Sequence, residues 1–203
     1  MEITEKMQPL LIVISGPSGV GKDSVLAEMK KLNNTRFHYS VTTTTRKQRP
    51  GEIDGVDYNF VTQKQFNELF DTSGFIESAN VYGQWYGVPK DPLRDALRNH
   101  KDVIVKIDVQ GARTIKELVP DAVLIFLNAP SKIELERRLK KRKTETLIDI
   151  NRRLSTAILE MKESEWFDHV ITNQTDDIKK AVVRILDLIE IEKSRTPPRV
   201  ISL

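Results

Sequence analysis

The sequence predicts an α/β fold, a three-layer sandwich with a mostly parallel central sheet, on three observations. The apolar run Leu10-Leu11-Ile12-Val13-Ile14 reads as a strand buried on both faces, and it passes through a glycine-rich turn into a helix. Two more apolar runs, Val103 to Ile107 and Ala122 to Leu127, repeat that signature. Amphipathic helical stretches separate the strands, and strands alternating with helices build a parallel sheet covered on both faces.

The 203 residues can bury a substantial core, and one domain with insertions is expected. With 39% hydrophobic and 30% charged residues the composition is that of an ordinary soluble globular protein. No apolar run approaches the ~18 residues of a membrane span. The start Met1-Glu2-Ile3-Thr4-Glu5-Lys6 is not a signal peptide, so a cytoplasmic location is expected and no membrane partner. The chain has no cysteine, which excludes disulfides and thiol catalysis, and His38, His100 and His169 are too scattered for a metal site. A net charge of +3, with 32 basic against 29 acidic residues, makes clusters more informative than totals.

Directly after the first strand stands Gly16-Pro17-Ser18-Gly19-Val20-Gly21-Lys22. Its glycines let successive N–H groups turn inward around phosphate oxygens. The next helix, apolar at Val25, Leu26, Met29 and Leu32, presents its positive end to the same anion. Lys22 adds a cation for the β- and γ-phosphates, which completes the G-x-x-x-x-G-K part of a P-loop and narrows the fold to the P-loop NTPase type. Gly16 to Ser24 is therefore the candidate ATP-binding loop. One position departs from the pattern: Asp23 replaces the Ser or Thr whose hydroxyl ligates Mg²⁺. A carboxylate is itself a hard ligand, so Asp23 is the candidate metal residue, although it brings negative charge toward a polyphosphate. Ser24 faces a different way around the helix.

Residues 36 to 42 read as a short strand leading into a polar loop, where Pro50-Gly51 mark a turn. Arg46 and Arg49 could converge there on one anion, because guanidinium forks match phosphate geometry. Taken alone, two loop arginines fit a solvated surface at least as well. Thr62 to Ser73 opens with a capping box, Thr62-x-x-Gln65, and carries Phe66, Leu69 and Phe70 on one face, which predicts a small helix with its aromatics in the core. Pro89 to Asn99 reads as another helix, with Leu93, Ala96 and Leu97 inward. In the strand Val103 to Asp108 a period of two puts Lys106 and Asp108 on one face, at the end where open α/β sheets bind ligands.

After the next strand, Ser131-x-x-Glu134 starts a helix, and Arg137, Arg138, Lys140, Lys141, Arg142 and Lys143 follow closely. Such a basic face is either solvated or meets a polyanion. Leu147, Ile150, Leu154, Ile158 and Met161 describe a long amphipathic helix. His169 to Asn173 reads as the last strand, and a helix over about 176 to 193 buries Ile178, Val182, Ile185 and Ile189. Ser194 to Leu203, with Pro197-Pro198, is expected to be a loose tail.

The segments Ser40 to Glu52 and Gly55 to Val61 resemble the GMP-binding region of guanylate kinases. The resemblance continues through Phe75-Ile76-Glu77, Gly83-Gln84-Trp85-Tyr86-Gly87, Ile107-Asp108-Val109-Gln110-Gly111, Pro130-Ser131 and Asn151-Arg152-Arg153-Leu154, and covers roughly residues 9 to 192. It implies ATP-dependent, Mg²⁺-assisted phosphorylation of GMP and dGMP, with no nucleic-acid partner. It implies that Arg46, Arg49, Tyr58 and Tyr86 hold the GMP phosphate, while Glu77, Asp108 and Thr42 read the guanine. Arg138 and Arg142 would stand at the edge of a lid, Arg153 would arrive from the next helix, and Asn173 would touch adenine. The implied organisation is a core (9–35, 91–130 and 156–193), a GMP-binding region (36–90) and a lid (131–155).

Departures from the family leave a second function open, a guanylate-kinase-like nucleotide- or protein-binding module with impaired catalysis. Val88 stands where the family has Ser or Thr, so a contact to guanine O6, worth about 1 kcal/mol, is expected to be lost. Lys106 stands where the family usually has Asp. The opposite changes at Asp23 and Lys106 could offset each other in an ion pair beside the phosphates, or each could be tolerated independently.

Overall fold

The computed structural model describes residues 8–32, 36–81, 83–140, 147–174 and 177–203. Strand β1 (Leu11–Ser15) leads through the P-loop to α1 (Lys22–Leu32), followed by β2 (Phe37–Tyr39), β3 (Thr43–Thr44) and β4 (Asn59–Phe60). Next come α2 (Gln63–Asp71), β5 (Phe75–Val81), β6 (Gln84–Pro89) and α3 (Lys90–Arg98). Then β7 (Asp102–Lys106), α4 (Val109–Leu118), β8 (Val123–Asn128), α5 (Lys132–Lys140) and α6 (Leu147–Lys162) lead to a 3₁₀ turn, Glu163–Trp166. The chain closes with β9 (His169–Thr172) and α7 (Ile178–Lys193).

The main sheet has the order β2-β7-β1-β8-β9, and every pairing in it is parallel. Its central strand is buried on both faces, as the continuous apolar run requires. Leu10, Ile12 and Ile14 pack on one side with Val25 and Met29 of α1 and Val182, Ile185 and Ile189 of α7. Leu11 and Val13 pack on the other with Leu93 of α3 and Ala112 and Ile115 of α4. These two clusters on either side of one sheet make the expected three layers.

A second sheet, β4-β3-β6-β5, stands apart from the first and was not foreseen from sequence. Its long pair β5–β6 is antiparallel and sets Glu77 opposite Val88. Helix α2 begins at the predicted capping box, with Thr62 capping the N–H of Gln65. Only part of its predicted apolar face is buried: Phe66 stacks on Phe75 at 4.7 Å between centroids, while Leu69 and Phe70 are exposed. A nine-residue helix on a narrow sheet has room to cover one aromatic, and Phe70 reaches only the Trp85 ring, 6.4 Å away.

The C-terminal tail corrects another expectation. Arg199 is 6% exposed, and its Nε donates to Glu192 at 2.6 Å while its Nη2 lies 3.4 Å from Asp168. Val200 N–H donates to Asp121, and Ile201 and Leu203 pack against the core. Asp121 and Asp168 are distant in sequence, and Glu192 lies on the preceding helix with nothing in its pattern to mark it as a partner, so Pro197-Pro198-Arg199 gave no sign of an anchor.

Away from the P-loop, buried Asp102 at the start of β7 accepts from the Leu10 N–H at 2.9 Å and from Lys193 Nζ at 2.6 Å. Asp102→Ala leaves a mostly buried ammonium without this carboxylate, and a loss of about 3 kcal/mol is expected. A loss below about 1 kcal/mol, from urea unfolding of both proteins, would assign the pair no structural weight.

Candidate active site

At the C-terminal ends of β1 and β7 the chain encloses a cleft of about 620 Å³. One wall is the P-loop from Gly16 to Asp23, and the other carries Thr42, Arg46, Arg49, Tyr58, Glu77 and Tyr86. The loop's path depends on residues without side chains. Gly16 has φ +138°, and a Cβ there would run into the Leu127 carbonyl. At Gly21, φ +99°, it would meet Asn173 Nδ2 at 2.7 Å. Lys22 folds back over the loop, donating from Nζ to the Gly16 carbonyl at 2.5 Å and the Pro17 carbonyl at 3.3 Å. Burial pushes its pKa below the ordinary lysine value, against the raising influence of Glu160, Asp23 and Asp108.

An anionic group already faces the loop. Glu160 of α6 accepts from the Ser18 N–H at 3.3 Å, and Arg153 Nη2 donates to Ser18 Oγ at 2.7 Å. Burial raises the Glu160 carboxyl, although Lys22 beside it favours the charged form. Glu160, Arg152, Thr156 and Gln110 line the cleft and were missed from sequence, because nothing in a helix pattern marks which polar residues turn toward a site.

On the opposite wall Arg46 lies 5.2 Å from the centre of the Tyr58 ring and donates from Nη2 to both Glu52 oxygens, at 2.8 and 3.0 Å. Burial would raise the Glu52 carboxyl, but its bonds with Arg46 and the Arg49 N–H hold it below its usual value. Glu52 thereby positions both arginines of the loop. Tyr58 and Tyr86 meet edge to face at 6.1 Å.

Glu77 is 5% exposed and stands over the start of α4. A Cβ at Gly111 would lie 2.8 Å from its carboxyl, so glycine makes this approach possible. Asp108 caps the same helix through the Gly111 N–H at 2.8 Å. Burial, reinforced by the Asp108 charge, pushes the Glu77 pKa up to about 8. Strand β7 ends at Lys106, so Asp108 joins the cleft as a helix cap and not by strand alternation.

Several expected site residues lie elsewhere. Arg138, expected at the edge of the lid, donates to the Val20 carbonyl at 2.9 Å and the Asn173 carbonyl at 2.9 Å, and so braces the back of the P-loop. Asn173 is buried and donates from Nδ2 to the Val20 carbonyl at 2.8 Å, while its buried Oδ1 has no hydrogen-bond partner among the described residues. Val88 is fully buried in the apolar cluster with Ile76 and Leu93, behind the cleft wall. Ser24 is exposed on α1 and off the cleft wall. Arg142 lies outside the described residues.

The two opposite departures do meet: Lys106 Nζ is 2.5 Å from Asp23 Oδ1. No group of three or more His, Cys, Asp or Glu residues that could hold a metal occurs among the described residues. Asp23, 67% exposed on the P-loop wall of the cleft, is a carboxylate that would join Mg²⁺ if substrate phosphates and water supplied the other ligands.

A phosphate loop facing a second, guanidinium- and phenol-lined wall suits two nucleotides bound head to head. The family model described as guanylate kinase matches residues 8–192. The chain belongs to the guanylate kinase family. It is 42% identical to a guanylate kinase of Carboxydothermus hydrogenoformans, over 94% of this chain and 92% of that one. It is 44% identical to one from Thermus thermophilus, over 94% of this chain and 84% of the relative. The crystal structure of guanylate kinase from Anaplasma phagocytophilum superposes with a TM-score of 0.78 at 32% identity, over 94% and 89% of the two chains. The main sheet carries the P-loop at its central strand, and the second sheet, through Glu77 and Tyr86, supplies part of the facing wall. No helix among the described residues is long and apolar enough to cross a membrane.

Proposed function

We infer that the chain is a cytoplasmic guanylate kinase transferring the γ-phosphoryl group of ATP to GMP and dGMP, giving ADP and GDP or dGDP. The observation that carries this reading is the facing of the P-loop, with Lys22, across one cleft from Glu77, Arg46 and Tyr58. A core with a GMP-binding region at 36–90 and a lid at 131–155 is the organisation that goes with it.

In this reading the ATP phosphates replace the loop carbonyls as partners of Lys22, and Ser18 and Arg153 reach the same anion. Arg46 and Arg49, with the Tyr58 and Tyr86 hydroxyls, bind the GMP phosphate. Glu77, ionised, accepts from guanine N1–H and the 2-amino group, with Asp108 and Thr42 beside it. Adenine lacks that pair of donors, which leaves a buried carboxylate unpaired and disfavours AMP. A GMP phosphate oxygen attacks the γ-phosphorus as the bond to the β-bridging oxygen breaks. A phosphate dianion needs no general base, so positioning and charge stabilisation dominate. Asp23 is the candidate carboxylate that would hold Mg²⁺, which would supply positive charge to neutralise the transferring phosphates.

The test is ADP formation from ATP and Mg²⁺ with GMP, dGMP, AMP, CMP and UMP as competing acceptors. Turnover with GMP and dGMP only is expected. Protein that binds GMP yet turns over none of the five would favour the impaired binding module.

A further inference from the structure

Lys106 is the least explained charge in the cleft. Its side chain is 16% exposed, and its Nζ lies 2.5 Å from Asp23 Oδ1, 3.3 Å from the Tyr58 hydroxyl and 4.5 Å from the centre of the Tyr58 ring. Asp23 belongs to the P-loop end of α1, whereas Tyr58 belongs to the opposite wall. The ammonium therefore joins the two halves of the cleft. Its backbone fixes it there, because Lys106 pairs in parallel register with Ile14, two residues before the loop begins.

The ion pair with Asp23 does not by itself account for this placement. Asp23 is 67% exposed on its side chain, and an exposed carboxylate gains little from a partner because water screens it. The desolvation cost falls almost wholly on the lysine. An ammonium has three donors, and Asp23 and Tyr58 take two of them, which leaves one for a further acceptor.

We propose that Lys106 is a catalytic residue, whose ammonium, aimed by Asp23 and Tyr58, contacts the phosphoryl group as it passes between the nucleotides. The proposal rests on the kinase reading above. Charge on the transferring group's oxygens is spread between donor and acceptor, and a fixed cation on the seam between the walls stabilises it most in the transition state. Lys22 would serve the donor side and Arg46 the acceptor side, with Lys106 between them.

The test is a cycle of Lys106→Met, Asp23→Ser and the double variant, with Lys106→Arg as the conservative control, all measured at saturating ATP and GMP. Lys106→Met is expected to lower kcat roughly 10²-fold, with KM for GMP changed less than about fivefold, and Lys106→Arg to recover part of the loss. In the Asp23→Ser background the loss from Lys106→Met should persist. Melting temperatures establish that each variant folds, and Lys106→Gln replaces the methionine variant if that one does not. A binding measurement adds a readout independent of turnover: a ligand joining adenosine to guanosine through five phosphates should bind Lys106→Met much more weakly, while GMP alone is little affected. If the double variant recovers the kcat of Asp23→Ser, Lys106 only neutralises Asp23 and the proposal fails. It fails equally if Lys106→Met keeps wild-type kcat. A wild-type protein that binds both nucleotides and transfers nothing would overturn the kinase reading and this proposal together.

Discussion

Replacing Lys22 with alanine is expected to lower kcat for GMP phosphorylation roughly 10³-fold while leaving the melting temperature unchanged or higher. The two halves of that expectation come from the same geometry. Lys22 Nζ donates to the Gly16 and Pro17 carbonyls, and the Pro17 carbonyl also accepts from the Val20 N–H at 3.2 Å. Its burial depresses its pKa, so the folded protein without nucleotide bears a cost for keeping the ammonium charged. Removing the side chain relieves that cost, at the expense of the two carbonyl bonds and of the favourable charge interaction with Glu160, whose carboxyl then takes up a proton more readily. With ATP bound, the same ammonium has a polyphosphate as partner, and its loss leaves developing charge without compensation. Steady-state kinetics and thermal unfolding on the same preparation check both halves. Turnover within tenfold of wild type in a folded variant would remove Lys22 from the catalytic set.

The main sheet was legible because its signals are local. A run such as Leu10 to Ile14, apolar at every position, has few homes other than a strand covered on both sides, and Leu11–Ser15 is that strand. The Thr62 capping box and the α3 start after Pro89 were read from a few neighbouring residues for the same reason. The second sheet was not legible, since β3 and β4 have two residues each and are held by pairings no periodicity announces. The anchored tail failed likewise: Arg199 is buried because Glu192 and Asp168 converge on it, and convergence is a property of the fold.

For the site, motif spacing gave the P-loop, the resemblance to guanylate kinases implied the facing wall, and opposite departures at two positions suggested the Asp23–Lys106 pair that forms. Sequence could not tell which arginines serve substrate and which serve the protein. Arg138 of α5 and Arg153 of α6 each lie next to another arginine in an amphipathic helix, yet Arg138 braces Val20 from behind while Arg153 meets Ser18 in the cleft. The same holds for Asn173, whose amide supports the loop. Glu160 was invisible for a related reason, because its carboxylate acquires meaning only from the Ser18 N–H it faces.

GMP affinity should rise with pH up to about 8, because Glu77 must be ionised to accept from guanine and its unliganded pKa is pushed up to about 8. Below that value, binding must first remove a proton from a carboxyl that burial and Asp108 keep neutral. The apparent dissociation constant should therefore fall about tenfold per pH unit between 6.5 and 7.5 and level off above 8. The GMP phosphate titrates near roughly 6, which keeps its own charge change out of that window. Calorimetry at pH 7 in buffers of different ionisation enthalpy should register close to one proton released per GMP bound. The unliganded protein carries the mirror image of this linkage. A carboxyl raised from 4.5 to about 8 favours the folded state only while protonated, so its contribution to stability declines from pH 4.5 upward and levels off above 8. Glu77→Gln removes both slopes and places an amide donor against the guanine donors. It should lower kcat/KM for GMP roughly 10³-fold, since two charge-assisted hydrogen bonds are lost, while AMP turnover changes little. A GMP affinity independent of pH from 6.5 to 8.5 would mean that Glu77 is already ionised in the unliganded cleft. Preserved GMP selectivity in Glu77→Gln would move guanine recognition to Asp108 and Thr42.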